Sequence, residues 1–311
     1  MNEMPTLLSA NWTQPPANDL LLVLLGLLAT GLGLLILIQR ATAPGSRLVQ
    51  RLGQQSFWQR LASPPQHEFP LAAAVTLLLS MSVFALLALL VSQGNSLAGL
   101  DQAMAALFRS LRSPARDPLL VLITSVGDSA HLIGLSLIAV ATLWHKGDRA
   151  GALHWAAAVG LLLMLNLLFK EGLAIPRPQY LADPLSTYSY SFPSAHSSNS
   201  TLFFALCAGF IARSLSASQR LWLYAGSAIP IVAIPLSRLY LGVHWLSDVT
   251  AGICLGLSVG ALALISYNRY YRPLHGQRRD LIPLAAALLW STVYLCWRFT
   301  PALNGYQPLP G

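Results

Sequence analysis

Three short stretches of the 311-residue chain carry residue types and spacings that could do chemistry. "KEGLAIPRP" (170–178) holds Lys170 and Arg177, "PSAH" (193–196) holds Ser194, Ala195 and His196, and "SRLYLGVHWLSD" (237–248) holds Arg238, His244 and Asp248. Lys170, Arg177 and Arg238 bring three positive charges beside apolar runs, where an ionised side chain costs about 2.5–3.5 kcal/mol at mid-helix. Cations crowded into one pocket repel, and an anion relieves them. Arginine forks fit phosphate oxygens in pairs, and lysine acts as a point charge. The "PSAH" turn opens a helix, so its free backbone N–H groups add a further anion site. Together the three stretches describe a phosphate pocket.

Two histidines belong to that pocket. Asp248 lies four residues after His244, which predicts one helical face. A carboxylate on one ring nitrogen sets the tautomer and leaves the other nitrogen free to attack phosphorus. His196, with no acidic neighbour in sequence, suits the general acid that protonates a departing oxygen.

For these stretches to converge, the elements carrying them must end on one face of a common scaffold. Fifty-five per cent of residues are apolar and ten per cent are charged. Apolar runs near the length that crosses a hydrocarbon core occur at 20–38, 71–91, 129–144, 150–169, 200–212, 221–235, 249–267 and 281–297. The reading is an all-α polytopic transmembrane bundle of eight spans. The alternating ten-residue segments of a membrane β-barrel do not appear. With the N-terminus outside, inner segments hold twelve Lys and Arg and outer segments seven, as the positive-inside bias requires. All three reactive stretches then fall at outer helix ends. The net charge of +8 is scattered among short loops, which excludes a nucleic-acid-binding domain.

The first nineteen residues contain Glu3 and Asp19 but no Lys or Arg, which predicts an uncleaved first helix rather than a secretory signal. Residues 46–62 suit a helix lying in the inner interface. Segment 93–128 reads as a short amphipathic helix followed by a turn at the outer surface, with Asp128 capping the next span and His131 packed. Cys207, Cys254 and Cys296 all sit in apolar runs and read as buried free thiols. Arg109, Arg112, Arg116 and Arg298 read as snorkelling anchors, and His67, His145, His154 and His275 as packed rings. Glu171 and Asp183 read as structural groups or tuners of nearby arginines.

Lys170-x6-Arg177-Pro178, Pro193-Ser194-Ala195-His196 and Ser237-Arg238-x5-His244-x3-Asp248 resemble the three-part signature of the type 2 phosphatidic-acid phosphatase superfamily. The resemblance covers roughly residues 70–270 and implies a six-helix core, with one extra span at each end. The expected division is 1–69 (N-terminal span and interfacial helix), 70–270 (phosphatase core) and 271–311 (C-terminal span and tail).

It further implies that His244 forms a phosphohistidine with Asp248 orienting it, and that His196 is first acid, then base for water. Lys170, Arg177 and Arg238 hold the phosphate, helped by Ser194 and the backbone at Ala195. Most members carry glycine where this chain has Ala195, which keeps the N–H but resists positive φ. The implied protein is a metal- and cofactor-independent membrane phosphatase of a bacterial inner membrane with a periplasmic site. Its substrate is a phosphorylated lipid of the undecaprenyl pyrophosphate, phosphatidic acid or phosphatidylglycerol phosphate class, the first favoured on family frequency. A phosphotransferase acting between lipids, for example onto lipid A, differs only in the acceptor.

Other functions fit parts of the pattern. A zinc site from His196, His244 and Asp248 has suitable spacing, but three adjacent cations oppose a divalent metal. A Ser-His-Asp hydrolase lacks G-x-S-x-G and leaves the cations without a purpose. A transporter or lipid-binding scaffold would put charges within the spans, whereas here they gather at one surface.

Overall fold

The computed structural model describes residues 71–93, 96–178, 189–268 and 281–307, all α-helices and connections. The expected first span, the interfacial helix, His67, Asp183 and His275 lie outside the described residues. The helices are α1 (Leu71–Ser92), α2 (Ala98–Ser110), α3 (Asp117–Val126), α4 (Ser129–His145), α5 (Arg149–Leu173), α6 (Ala195–Ile211), α7 (Ala217–Tyr240), α8 (Leu246–Tyr267) and α9 (Ile282–Gly305). Five of them, α1, α5, α7, α8 and α9, are long and apolar enough to cross a membrane, and the α3–α4 pair, bent by 41°, counts as a sixth when taken as one broken span. At 17 residues, α6 falls just short of that length but lies against α7 and α8. This is an integral membrane helical bundle.

Helix starts follow local chemistry. Asp128, Asp148, Ser194 and Ser216 each accept from a backbone N–H in the first turn of α4, α5, α6 and α7, satisfying donors that have no partner within the helix. Pro118 in the first turn of α3 is tolerated because its missing N–H would have been one of those unpaired donors. Residues 117–126 are therefore helix rather than the expected outer turn. Ten residues are too few to read as a span, and only the joint with α4 makes them part of one. At that joint the Gly127 backbone meets α7, where a Cβ would stand 2.3 Å from Ile234 Cγ2.

The core gathers around α8, which packs on α1, α5 and α6. Phe84, Trp155, Leu162, Phe169, Leu206 and Leu255 are buried there, with the Phe84 and Phe169 rings edge to face at 4.8 Å. Ser80 and Ser258 share a 2.7 Å hydrogen bond between α1 and α8. The tightest seam joins α8 to α6. Gly252, Gly256 and Gly260 repeat every four residues along one face of α8, the small-residue spacing that lets membrane helices approach backbone to backbone. A Cβ at Gly252 would lie 2.6 Å from the Ser194 carbonyl oxygen, and one at Gly256 would lie 2.5 Å from that of Ser198. At Gly260 the nearest atoms stand at 3.5 Å.

α9 rests against α3 and α4 at the edge of the bundle, and its Leu288, Leu289 and Trp297 are exposed. His131 is packed, as expected. Its Nδ1 lies 2.8 Å from the Val126 carbonyl and its Nε2 3.0 Å from Ser291 Oγ, and the ring stacks on Tyr294. The three cysteines are free, but Cys296 is exposed on α9 rather than buried.

The seam predicts a contrast. Gly256→Ala forces two backbones apart and costs about 1–3 kcal/mol, the usual range for overpacking, whereas Gly260→Ala is close to neutral. Thermal unfolding of the two variants in detergent measures the difference.

Candidate active site

The three reactive stretches meet where α5, α7 and α8 end or begin, beside the start of α6. Lys170 lies in the last turn of α5, Arg238 in the last turn of α7, and Asp248 in the first turn of α8. The serines around His196 have specific partners. Ser198 and Asn166 exchange hydrogen bonds of 2.9 and 3.1 Å, tying α6 to α5. Asn199 Nδ2 donates to Ser129 Oγ at 2.9 Å, tying α6 to α4. The Ser194 backbone N–H donates to the Asp248 carbonyl at 3.0 Å, so the His196 turn is fastened to the His244 turn. Ser194 Oγ accepts from Ser197 N and Oγ at 3.4 and 3.0 Å.

Ala195 is the first residue of α6, and among the described non-glycine residues only Ala174 has positive φ. Alanine therefore carries no conformational penalty at position 195.

His244 and Asp248 do not share a helical face, because α8 begins only at Leu246. The side chains meet because Asp248, in the first turn, folds back towards the residues preceding the helix. Its Oδ2 accepts from Trp245 N at 2.8 Å and lies 3.2 Å from His244 Nδ1. Ser191 Oγ donates to the same oxygen and stands 3.3 Å from the imidazole Nδ1.

On the other side of the ring, Arg177 Nη1 lies 3.0 Å from Nε2. A guanidinium can only donate, so Nε2 is the acceptor and the ring proton sits on Nδ1, facing Asp248. The tautomer follows from the two neighbours alone.

The Arg177 loop is pinned by its own contacts. Arg177 donates from Nη1 to the Val243 carbonyl at 3.0 Å, from Nε to the Ser189 carbonyl at 2.8 Å and from Nη2 to Ser189 Oγ at 2.9 Å. Trp245 Nε1 donates to the Pro176 carbonyl at 2.8 Å, and Ser191 N to the Ile175 carbonyl at 2.7 Å. Lys170 Nζ donates to the Tyr190 carbonyl. Arg238, 4% exposed, donates from Nη1 to Thr124 Oγ1 at 2.9 Å and to Tyr306 OH at 2.7 Å. Glu171, next to Lys170, is exposed. The His196 ring makes no hydrogen bond to another described residue.

Electrostatics match an anion site. Burial, with Arg238 next, pulls the Arg177 pKa down to about 10. Burial first, then Arg177, Arg238 and Lys170, holds His244 well below the usual 6.5, so its ring is neutral and nucleophilic near neutral pH. A divalent metal fits poorly, because the Asp248 oxygen nearest His244 already accepts three donors and cations surround the ring.

Sequence reasoning missed Ser191, Thr124, Tyr306 and Asp101. Asp101, on α2, is buried and accepts from Ser247 N at 2.9 Å and Ser247 Oγ at 2.7 Å, capping α8 from another element. An acidic residue in an amphipathic helix gave no signal of this.

Residues 151–272 match the PAP2 superfamily, and this interval contains every candidate site residue from Lys170 to Asp248. The chain is 28% identical over 180 residues to phosphatidylglycerophosphatase B of Bacillus subtilis (strain 168), covering 57% of this chain and 88% of that protein. It is 36% identical over 87 residues to an undecaprenyl-diphosphatase of Sulfolobus acidocaldarius, covering 28% of this chain but only 38% of that one. The crystal structure of a transmembrane PAP2-type phosphatidylglycerolphosphate phosphatase from Bacillus subtilis superposes with a TM-score of 0.55 at 28% identity, over 60% of this chain and 94% of that one. Fold and matched motifs together define a membrane-embedded phosphatase. The resemblance to the PAP2 superfamily is carried by the matched interval and by the fold shared with that transmembrane phosphatase.

Two outcomes test the geometry. The folded His244 ring resists a proton that the unfolded ring takes up near 6.5. Its contribution to stability is thus complete above that pH and is lost as the pH falls towards the depressed folded value. His244→Gln should lose less stability than the wild type between about pH 7 and about pH 5 in thermal unfolding. Asp101→Ala leaves the Ser247 donors buried without an acceptor and should cost about 1–3 kcal/mol, read from the unfolding midpoint at constant pH.

Proposed function

We infer that the protein hydrolyses a phosphomonoester or pyrophosphate on a membrane lipid through a phosphohistidine, using the 70–270 core. The observation that carries this reading is the His244 imidazole, held between the Asp248 carboxylate on Nδ1 and the Arg177 guanidinium on Nε2. An unprotonated nitrogen aimed at a cluster of cations suits in-line attack on a phosphate and little else.

In the first step, His244 Nε2 bonds to phosphorus as the bond to the lipid oxygen breaks. The departing oxygen takes a proton from His196, and Asp248 stabilises the now cationic phosphorylated ring. In the second, water attacks the same phosphorus, gives a proton to His196, and the P–N bond breaks to release inorganic phosphate. Lys170, Arg177 and Arg238 neutralise the transferring group throughout, with Ser194 and the Ala195 N–H at the helix start as further partners. None of these steps calls on a metal. Ser191, through its hydrogen bond to Asp248, helps hold the carboxylate in place.

The substrate presents its phosphate at headgroup depth. A shallow groove between α4, α5 and α6, lined by Ile133, Val159, Leu163, Asn199 and Phe203, faces the lipid where part of its tail would lie. The relative matched over most of its length is a phosphatidylglycerophosphatase, which supports the phosphatidylglycerol phosphate class ahead of polyprenyl pyrophosphate. The family pattern supports an inner-membrane location with the site on the periplasmic face.

The test is phosphate release by detergent-purified protein in excess EDTA, with phosphatidylglycerol phosphate, phosphatidic acid and undecaprenyl pyrophosphate offered in parallel. Turnover persists in EDTA and vanishes in His244→Ala, and the fastest lipid identifies the class. His196→Ala slows turnover by about 10²–10⁴-fold, the usual range for general acid–base catalysis, and least for good leaving groups. Turnover that EDTA abolishes, or that survives His244→Ala, sinks the phosphohistidine reading.

A further inference from the structure

The phosphate pocket is built from elements inside the family match, but one of its arginines is held entirely from outside it. Arg238 Nη1 donates to Thr124 Oγ1 on α3 and to the Tyr306 hydroxyl just beyond α9. The guanidinium carbon also lies 5.5 Å from the centre of the Tyr306 ring. Thr124 is 1% exposed, and both residues lie beyond the matched interval 151–272.

Tyr306 is itself fixed. Its carbonyl accepts from Arg112 Nη2 at 2.8 Å, and Arg112 pairs with Asp117 at 2.9 Å. Asp117 accepts from Tyr240 OH at 2.8 Å, and Tyr240 lies two residues after Arg238. The chain of contacts closes on itself, so the end of α9 is locked to the end of α7 at the arginine. Arg112, read from sequence as an anchor in the membrane surface, is a strut of this lock.

We propose that Tyr306 is a positioning residue for the phosphate-binding fork, through its hydrogen bond and ring contact with Arg238. The inference rests on the reading of Arg238 as a phosphate ligand. A guanidinium on a flexible stem can rotate its donors away from an anion. Two oxygen acceptors on one Nη1, with the Tyr306 ring centre 5.5 Å from the guanidinium carbon, fix that rotation. The Nη2 edge donates to no described residue and is left for phosphate oxygens. The C-terminal span thereby becomes part of the site.

The experiment measures orthovanadate binding by titration calorimetry on the full-length protein in detergent, a readout that needs no turnover, together with kcat and KM for the phosphorylated lipid. Tyr306→Phe keeps the ring but removes the acceptor. It should weaken vanadate binding and lower kcat/KM by about tenfold each, as expected for one hydrogen bond to a charged group, with the unfolding midpoint close to wild type. In an Arg238→Lys background the same substitution should change vanadate binding by less than about twofold, because an ammonium has no fork to orient. Leu289→Ala, exposed on the same helix, should bind as wild type. If Tyr306→Phe binds vanadate normally, or if its effect multiplies unchanged with Arg238→Lys, the positioning role is wrong while the phosphatase reading stands. A wild-type protein that neither binds vanadate nor releases phosphate overturns the phosphate pocket, and this inference with it.

Discussion

Everything at the site depends on how closely α8 approaches α6. Two histidines on separate elements can serve one phosphorus only if their helix starts are in fixed register. That register is set where Gly252 and Gly256 meet the backbone of Ser194 and Ser198 and where Ser194 N donates to the Asp248 carbonyl. In a bilayer the lipid tails are as apolar as leucine, so burying large side chains between helices gains little. Close van der Waals contact and interhelical hydrogen bonds hold helices together instead. The serine-rich face of α6 supplies both, through Asn166 on α5 and Ser129 on α4. Small residues do here what a large apolar interface does in water.

That close packing creates an electrostatic problem. Lys170, Arg177 and Arg238 approach one another in a largely desolvated space, and among the described residues Asp248 is the one carboxylate that touches His244. Carbonyl oxygens take up much of the strain. Tyr190, Ser189 and Val243 accept from Lys170 and Arg177, while Thr124 and Tyr306 accept from Arg238. Neutral acceptors satisfy the N–H groups without cancelling the charge. The pocket stays positive, and the same positive field, with burial, keeps His244 unprotonated. Charge crowding that would weaken a structural core here leaves the His244 ring unprotonated.

Helices outside the matched interval 151–272 support this arrangement. Asp101 on α2 caps α8 beside the His244 turn. The bent α3–α4 span and α9 pack together through His131, Ser291 and Tyr294, and together they reach Arg238. The matched interval carries the candidate site residues, while Thr124 and Tyr306, outside it, hold the side chain of Arg238.

The sequence by itself determined the class of fold and singled out the candidate residues that the structure brings together. Long apolar runs with few charges leave a chain little choice but membrane helices, and six ionisable residues at fixed offsets near their ends have few uses apart from binding an anion. Six of the expected spans correspond to α1, α4, α5, α7, α8 and α9, with α6 beginning earlier than its apolar run because serines start that helix. Contacts between elements distant in sequence were not legible. Nothing in the local pattern around Asp101, Thr124, Ser191 or Tyr306 marks them, because each acts on a partner more than fifty residues away. The glycine repeat of α8 was visible, but its meaning depends on which helix lies against it. The His244–Asp248 pairing was anticipated for the wrong geometric reason, since the helix starts between the two residues and the carboxylate reaches back. Local propensity and hydrophobicity are properties of a segment, whereas orientation within a pocket belongs to several segments at once, and only the tertiary structure decides it.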